Sequence, residues 1–247
     1  MERWSDKVAL ITGANSGIGK CLVECLVGRG MKVVGIARHV DKIKALADEL
    51  KSMPGKLFPL QCDLSNQNDI LRVLEWIEKN LGAVDILINN AAINIDITLQ
   101  TGDMQDWRKV FDVNFLGLTC MTKEVLKLMK KKGIDNGVIV NINDVCGLKV
   151  PISCDRPVSP AYISSKFALT ALTECLRSEL AQLESNIKVI SISPGLVETN
   201  MTAQWLKENP HLALKPKDVS DCILFALQTP DTVLIKELVV TPIREMM

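Results

Sequence analysis

The sequence predicts an α/β fold in which a doubly wound, parallel, seven-stranded sheet is covered by helices on both faces. Two observations predict this fold. Short apolar runs alternate with segments of helical periodicity along the whole chain. Three of these runs, at 84–88, 138–142 and 188–192, are apolar on both faces, as strands between two helical layers need to be. Because the alternation continues without a linker, we expect residues 1–247 to form one domain.

The chain begins with a strand, a glycine-rich turn and a helix, predicted at 7–11, 12–19 and 20–27. Glycine lets backbone approach a pyrophosphate closely, and the free N–H groups of a helix N-terminus favour an anion. A glycine triplet alone also occurs in ordinary tight turns, but this strand–turn–helix order favours a nucleotide site. The residues expected to form that site are Gly13, Asn15, Ser16, Gly17, Ile18 and Gly19.

The second strand, expected at 32–37, ends without a carboxylate. An acidic residue in this region would bind the adenine ribose hydroxyls and select NAD(H). Arg38 and His39 follow the strand instead, and an arginine can pair with a 2′-phosphate. The alternative is a solvated arginine at a strand end. The sequence favours NADP(H) over NAD(H) as the cofactor.

The remaining units repeat this order. We expect strands at 57–62, 84–89, 137–142, 187–192 and 233–240, and helices near 41–52, 67–80, 106–131, 161–184 and 216–228. Cofactors of such sheets lie at the carboxyl ends of the strands. The small and polar residues expected at these ends are Asp63, Asn89, Asn90, Ala91, Ala92, Asn143, Asp144, Pro194 and Gly195.

The one tyrosine of the chain, Tyr162, precedes Lys166 by four residues in a predicted helix. Positions i and i+4 share a helix face, so the lysine ammonium can lie beneath the phenol. A nearby cation can lower the pKa of a phenol from about 10 toward physiological pH, which makes it a usable general acid or base. An isolated pair of this kind is more simply a surface coincidence, but the nucleotide motif favours the catalytic interpretation.

Composition argues against several other functions. The formal net charge is zero, so nothing favours nucleic acid or a membrane as a partner, and no segment is long enough to span a bilayer. The eight cysteines include no C-x-x-C pair and are interpreted as reduced, mostly buried thiols of a cytoplasmic protein. With only His39 and His211, a histidine-rich metal site is excluded and a serine–histidine triad is disfavoured.

Together these motifs resemble the short-chain dehydrogenase/reductase family over nearly the whole chain. The family has a T-G-x-x-x-G-I-G turn, an Asn-Asn-Ala-Gly segment, a helical asparagine, a Tyr-x-x-x-Lys pair and a Pro-Gly-x-x-x-Thr segment. Their matches, in the same order, are 12–19, 89–92 (with alanine for the last glycine), Asn114, Tyr162 with Lys166, and 194–199. The stretches 1–9 and 192–199 are most similar to insect farnesol dehydrogenases and their hydroxysteroid dehydrogenase relatives.

The resemblance implies a single Rossmann domain with oxidoreductase activity, and a homodimer or homotetramer that packs through 106–131 and 161–184. Tyr162 would exchange a proton with the substrate oxygen. Lys166 would lower the pKa of the tyrosine and bind the nicotinamide ribose, and Asn114 would hold a water that connects the lysine to solvent. The other implied cofactor contacts are Asp63 and Leu64 at the adenine, Asn89 and Ala91 at the adjoining ribose, and Val197 and Thr199 at the carboxamide end. Pro194 and Gly195 are also expected to bind the cofactor.

One position departs from the family pattern. Counting from Gly147, Asp144 takes the place of the catalytic serine after the fifth strand. An ionised carboxylate cannot donate a hydrogen bond to a substrate carbonyl, and it opposes formation of a phenolate at Tyr162. Losing one such donor typically lowers the rate ~100- to 1000-fold.

Three interpretations of Asp144 stay open. The carboxyl group is protonated in an apolar pocket and donates as serine would. Alternatively a neighbour replaces the serine, and the candidates are Asn143, Ser153 and Ser159. The third is that redox chemistry is impaired, which leaves a binding, lyase or isomerase function on the same fold. The intact tyrosine, lysine and helical asparagine favour an active oxidoreductase.

Two segments bear on the substrate. The proline-containing stretch 148–160 is expected to form a stiff loop that lines the pocket. Met201, Trp205 and Leu206 would offer an apolar wall, although such residues are as often ordinary packing. An apolar wall suits an isoprenoid- or steroid-like alcohol better than a sugar. We therefore expect hydride transfer that interconverts a small apolar alcohol and its aldehyde or ketone.

Overall fold

The computed structural model describes residues 1–150, 159–207 and 213–245. Its centre is a seven-stranded, all-parallel sheet with the strand order β3-β2-β1-β4-β5-β6-β7. The strands are β1 (Val8–Thr12), β2 (Lys32–Ala37), β3 (Lys56–Gln61), β4 (Ile86–Asn89), β5 (Val138–Ile142), β6 (Lys188–Pro194) and β7 (Glu237–Val240). The α-helices are α1 (Gly17–Val27), α2 (Asp41–Glu49), α3 (Gln67–Asn80), α4 (Met104–Phe111), α5 (Leu118–Lys131), α6 (Pro160–Gln182), α7 (Ala203–Leu206) and α8 (Pro216–Gln228). The predicted single α/β domain is confirmed.

Helices cover both faces of the sheet because successive strand residues point to opposite sides. In β1, Ala9 and Ile11 pack into a cluster with side chains of α1, α2 and α8. Val8 and Leu10 pack into a second cluster with side chains of α3, α5 and α6. Two separate cores therefore enclose the strands, which explains why their sequences are apolar at consecutive positions.

The strand order places the topological switch between β1 and β4. From β1 the chain proceeds outward to β2 and β3, and it then returns to place β4 on the other side of β1. The connections that leave the carboxyl ends of these two neighbours therefore diverge. The resulting crevice is where ligands of open α/β sheets bind.

The long helix expected over 106–131 is interrupted. A π-helical segment, Asp112–Gly117, separates α4 from α5. Gly117 lies in this segment, and a Cβ atom there would come within 2.2 Å of the Leu64 carbonyl oxygen. A π-turn is wider than an α-turn, so it lets the chain adapt at this close approach without ending the helix. Periodicity alone gives no sign of this interruption.

Two further elements differ from expectation. The last strand covers only Glu237–Val240, and residues 233–236 precede the ladder; the Lys236 carbonyl at its start accepts hydrogen bonds from the Arg177 guanidinium and the Ser191 backbone. The short helix α7 was not expected from the sequence.

The cysteines are less buried than the sequence suggests. Of the seven cysteines in the described segments, all free thiols, two are buried, four are half-buried and Cys175 is exposed. They are thus less buried than expected, and Cys154 lies outside the described residues.

No helix within the described ranges has the length and apolar character needed to cross a bilayer.

The glycine turn provides a test of this packing. In Gly19→Ala the new methyl group would lie 2.4 Å from the Gly13 carbonyl oxygen and 2.6 Å from Asn90 Nδ2. We expect this overpacking to lower the free energy of unfolding by roughly 1–3 kcal/mol, measured by urea denaturation without cofactor. The control Gly28→Ala adds the same group at the exposed C-terminal end of the same helix, where φ is −59°, and we expect it to change stability by less than ~1 kcal/mol. Equal effects of the two substitutions would contradict the packing of the turn.

Candidate active site

A cavity of about 330 Å³ opens at the carboxyl end of the sheet. It extends from the glycine turn past the ends of β2 and β3 on one side and to the ends of β5 and β6 on the other. The structure brings most of the predicted site residues to its walls. These are Gly13, Asn15, Ser16, Gly17, Ile18, Arg38, His39, Asp63, Leu64, Ala91, Asp144, Tyr162, Lys166, Pro194, Gly195, Val197 and Thr199.

Two predicted cofactor contacts do not line the cavity. Gly19 lies behind the turn, where its missing side chain lets α1 pack against the Gly13 carbonyl. Asn89 is buried in the sheet, and its amide nitrogen donates to Thr122 Oγ1 and Asn141 Oδ1, both at 2.9 Å. The side chain of Asn89 therefore links β4 to β5 and α5, and the ribose contact expected of this residue stays a prediction.

Several lining residues were missed as site residues, although they adjoin predicted ones. They are Ile36, Ala37, Cys62, Ile93, Val113, Ile142, Leu196, Asn200 and Thr202, whereas Asn90, Ala92, Asn143 and Met201, which the sequence placed at the strand ends and in the apolar wall, do line the cavity. Their position next to a strand end or a predicted contact was the available indication. Of the expected apolar wall, only Met201 lines the cavity, since Trp205 and Leu206 lie on α7 outside its described lining.

The glycine turn is fastened to the segment after β4 through Thr12. Its hydroxyl oxygen accepts the backbone N–H groups of Asn90 and Ala91, each at 2.9 Å. In return Asn90 Nδ2 donates to the carbonyls of Thr12 at 2.8 Å and Gly13 at 3.2 Å. These four hydrogen bonds hold together the two strand ends that form the crevice.

The turn fits the pyrophosphate of a dinucleotide. Gly13 and Gly17 have φ values of 67° and 54°, which side chains rarely tolerate. A Cβ atom at Gly17 would lie 3.1 Å from Thr199 Cγ2, on the opposite wall, so glycine keeps this approach open. Ser16 is the N-cap of α1, and its side chain accepts no hydrogen bond from the first turn of the helix in the described structure. That helix end can therefore offer its N–H groups to an anion.

Tyr162 and Lys166 lie side by side in the first turns of α6. Ser159 caps this helix by accepting the Tyr162 N–H at 3.2 Å, and Pro160 occupies its first position. Tyr162 is 5% exposed and Lys166 is 4% exposed. The ammonium nitrogen lies 5.5 Å from the centre of the phenol ring, so the predicted pairing of the two side chains is present.

Lys166 is buried and is held by backbone carbonyls. Its Nζ donates to the carbonyl of Ile142 at 2.8 Å and toward that of Asn143 at 3.4 Å. Burial lowers the pKa of Lys166 from the ordinary 10.5 to about 8, against the opposing attraction of Asp144 and Cys146. The amine can therefore change its protonation state close to physiological pH.

Asp144 contacts the catalytic tyrosine candidate directly. Its Oδ2 accepts the Tyr162 hydroxyl hydrogen at 2.9 Å. Its Oδ1 accepts the Cys146 N–H at 2.8 Å, which caps a short 3₁₀ turn, Val145–Gly147. A Cβ atom at Gly147 would lie 2.8 Å from the Lys166 carbonyl, so glycine allows this turn to pack against α6. The carboxylate is thus fixed at one end and bonded to the phenol at the other.

The other candidates for the missing serine do not take its place in the described structure. Asn143 is 2% exposed and donates to Thr170 Oγ1 at 2.8 Å, which ties β5 to α6. Ser159 is 3% exposed and serves as the helix cap. Ser153 lies outside the described residues, as does most of the predicted loop at 148–160. Among the described groups, Asp144 is the one hydrogen-bonded to the Tyr162 hydroxyl.

Asn114 has a positioning role in the structure. Its side chain accepts the Ile93 N–H at 2.8 Å and donates to the Ile93 carbonyl at 2.9 Å. Nδ2 also donates to Ser165 Oγ at 3.1 Å. Asn114 therefore fixes Ile93, a residue of the cavity wall, to the π-helical segment and to α6. The water expected at Asn114 stays a prediction.

Comparison with known proteins agrees with this geometry. Residues 7–210 match the family model described as short chain dehydrogenase. The chain belongs to this family. It is 42% identical over 253 residues to dehydrogenase/reductase SDR family member 11 of Mus musculus, covering 98% of this chain and 96% of that protein. It is 43% identical over 248 residues to farnesol dehydrogenase of Aedes aegypti, covering 99% of each.

Solved structures give the same result. A short-chain type dehydrogenase/reductase from Mycobacterium marinum is similar with a TM-score of 0.86 and 26% identity, over 97% of this chain and 95% of that chain. The predicted family is confirmed. As a member of the short-chain dehydrogenases, the chain is an oxidoreductase of a fold that binds a nicotinamide cofactor, and its glycine turn and cavity fit that ligand.

The buried lysine predicts a pH dependence of stability in this short-chain dehydrogenase. Because the pKa of Lys166 is about 8 in the folded state, the unfolded chain binds more protons than the folded one between about pH 8 and 10.5. Stability should therefore rise with pH through this window, and the full gain of about 3 kcal/mol should be absent below pH 8. Lys166→Met should abolish this rise. The check is urea denaturation of both proteins without cofactor at about pH 7 and about pH 10, and the same pH dependence in both would contradict the assignment.

Proposed function

We propose that this protein is an NADP-dependent oxidoreductase that interconverts an apolar alcohol and its aldehyde or ketone, with Tyr162 as the acid–base group. One observation carries the proposal. Tyr162 and Lys166 lie together at the end of β5, and they line the same cavity as the glycine turn. The acid–base pair and the expected dinucleotide site thus share one crevice.

Each residue of the pair has a distinct task in this proposal. A bound nicotinamide supplies or accepts the hydride. Tyr162 donates a proton to the substrate oxygen during reduction and removes it during oxidation. The Lys166 ammonium, 5.5 Å from the ring centre, favours the phenolate form that Tyr162 adopts after donating its proton. Asn114 positions the wall beside this centre through Ile93.

The preference for NADP(H) is supported by the end of β2. Arg38 and His39 follow this strand, line the cavity and are exposed. A guanidinium at this place suits a phosphate on the adenine ribose. The nearest lining carboxylate along the sheet is Asp63, which follows β3 and accepts hydrogen bonds from the backbone and hydroxyl of Ser65.

The apolar substrate is supported by apolar residues of the cavity wall and by a relative. Ile93, Leu196, Val197 and Met201 line the cavity. The similar protein from Aedes aegypti is a farnesol dehydrogenase, whose named substrate is an isoprenoid alcohol. Both observations favour an isoprenoid- or steroid-like alcohol over a sugar. The homodimer or homotetramer expected from the sequence stays a prediction.

A second candidate function is a binding, lyase or isomerase role without redox turnover. The hydrogen bond from Tyr162 to Asp144 favours it, because the phenol proton is then donated to a carboxylate and not to a substrate. The two functions are distinguished by following NADPH absorbance with apolar ketones, aldehydes and alcohols for the wild type and Asp144→Ser. Turnover by the wild type supports the oxidoreductase, whereas turnover by the serine variant alone supports the second candidate.

Removing the phenol hydroxyl tests the role of Tyr162. We expect Tyr162→Phe to lower kcat by at least ~100-fold, since the proton donor to the substrate oxygen is lost. The affinity for NADPH should stay within about twofold, because the ring and its packing are kept. The value of kcat is measured from product formed in assays stopped at set times. The affinity for NADPH is measured by calorimetric titration of the protein with NADPH. Normal turnover of this variant would refute the assigned role.

Removing the guanidinium tests the cofactor preference. In Arg38→Ala we expect the Kd for NADPH to rise about 10- to 100-fold, as for a lost charge-assisted hydrogen bond. The Kd for NADH should hardly change, because NADH lacks the 2′-phosphate. Arg108→Ala is the matched control, since it removes one exposed arginine of α4 away from the described cavity. Equal weakening of both cofactors in Arg38→Ala would argue against NADP selection.

A further inference from the structure

Helix α1 carries two cysteines on one face, outside the lining of the described cavity. Cys21 and Cys25 are four residues apart, and side chains at this spacing are neighbours on a helix surface. Both are free thiols and half-buried, so a small ligand can reach them from solvent. Their contact is seen in the pKa of Cys25, which burial raises first and the charge and hydrogen bond of Cys21 raise further. The proposed redox function uses neither thiol.

The spacing of the pair does not suit a direct disulfide. The Cβ atoms of helical residues four apart lie about 5–6 Å from each other, whereas a disulfide needs about 3.5–4.5 Å. Helix α1 is continuous from Gly17 to Val27, so a disulfide would require its backbone to distort near the middle. Two metal–sulfur bonds of roughly 2.3 Å each span the wider gap. The pair therefore fits a bridging ion better than a disulfide.

We propose that Cys21 and Cys25 form a two-thiolate binding site for a soft monovalent metal ion, Cu(I). Thiolate ligands select soft ions, and Cu(I) and zinc are both among them. Zinc takes four ligands in structural sites, but no group of three or more His, Cys, Asp or Glu side chains within 1–150, 159–207 and 213–245 could hold a metal ion. Cu(I) is stable with two sulfur ligands, so the pair satisfies it without a further protein ligand. The site is separate from the proposed redox function and does not depend on it.

The nearby Cys222 does not add a third ligand. It is half-buried on α8, the helix that packs against α1. Burial raises its pKa, followed by the charges of Asp221 and Asp218, and neither cysteine of α1 contributes to that shift. The proposed site is thus confined to one turn of α1.

The charges around the pair suit a bound monovalent ion. Two thiolates and one monovalent cation carry one net negative charge. Arg29 lies on the following turn, where its Nη1 donates to the Cys25 carbonyl at 2.9 Å and its charge lowers the pKa of that thiol. Lys217 of α8 lies near both thiols, which add to the increase in its pKa after the larger effect of Asp221. Asp221 opposes the site, but its carboxylate is paired with the Lys217 ammonium at 2.5 Å.

Binding is a ligand exchange that needs no oxidant or reductant. The raised pKa of Cys25 keeps this thiol protonated at neutral pH, so the ion must displace its proton. Each S–H bond that breaks is replaced by a Cu–S bond, the proton passes to the buffer, and copper and sulfur keep their oxidation states. The same raised pKa slows oxidation and alkylation, because the thiolate is the reactive form. The thiol therefore stays available to the ion.

The test is a titration of the reduced protein with Cu(I) under anaerobic conditions, in competition with the coloured Cu(I) chelator bicinchoninate. We expect one bound ion per chain. Cys21→Ser and Cys25→Ser should each weaken Cu(I) binding at least ~100-fold, because loss of an outer contact of a metal site already costs about 10- to 100-fold. Cys222→Ser is the matched control, since it removes a half-buried thiol of the neighbouring helix, and it should leave the affinity unchanged.

Two further measurements complete the test. Circular dichroism should show that the variants keep the fold, and alanine replaces serine at either position of the pair if a serine variant unfolds. X-ray absorption at the copper edge should show two sulfur neighbours in the wild type. Cu(I) affinity that is unchanged in both variants of the pair, or that falls equally in Cys222→Ser, would overturn the inference. Zinc binding as tight as Cu(I) binding would also overturn it, because zinc would require further ligands.

Discussion

The site depends on the hydrogen bonds that join the ends of β1 and β4. Asn90 and Ala91 donate four hydrogen bonds to Thr12 and Gly13 at the switch point of the sheet. Without this junction the glycine turn would not face the ends of β5 and β6 across a narrow crevice. Glycine at 13 and 19 is required by the same close contact, because a side chain at either position would meet atoms of the junction within 3 Å. The placement of the glycine turn opposite the acid–base groups follows from this one constraint.

Asp144 sets the chemistry within that frame. The tyrosine and lysine of an oxidoreductase are present and buried, yet the phenol donates its proton to a carboxylate. Lys166, held by two backbone carbonyls, provides the compensating positive charge below the ring. The centre therefore places an amine and a carboxyl group beside one phenol, and the hydrogen bond from that phenol to Asp144 distinguishes it from a centre with serine at this position.

The sequence predicted the sheet, its helices and most of the cavity lining because each depends on local patterns. Apolar runs mark strands buried on both faces, and the carboxyl ends of parallel strands meet at one edge. The side-chain direction of Asn89 and the π-helical segment around Asn114 could not be predicted, since both are decided by contacts between distant strands and helices. Only the structure shows that Asn143 and Ser159 are occupied in packing and capping, which leaves Asp144 beside the tyrosine.

The most direct measurement follows the protonation of Tyr162, which is the one tyrosine in the chain. With ring-labelled tyrosine, carbon NMR gives a single phenol signal whose shift reports loss of the proton. If Asp144 accepts the hydroxyl hydrogen, Tyr162 should lose its proton at a lower pH in Asp144→Asn than in the wild type, because the opposing negative charge is gone. An unchanged titration would show that the two side chains do not interact, and the account of this centre would then be wrong.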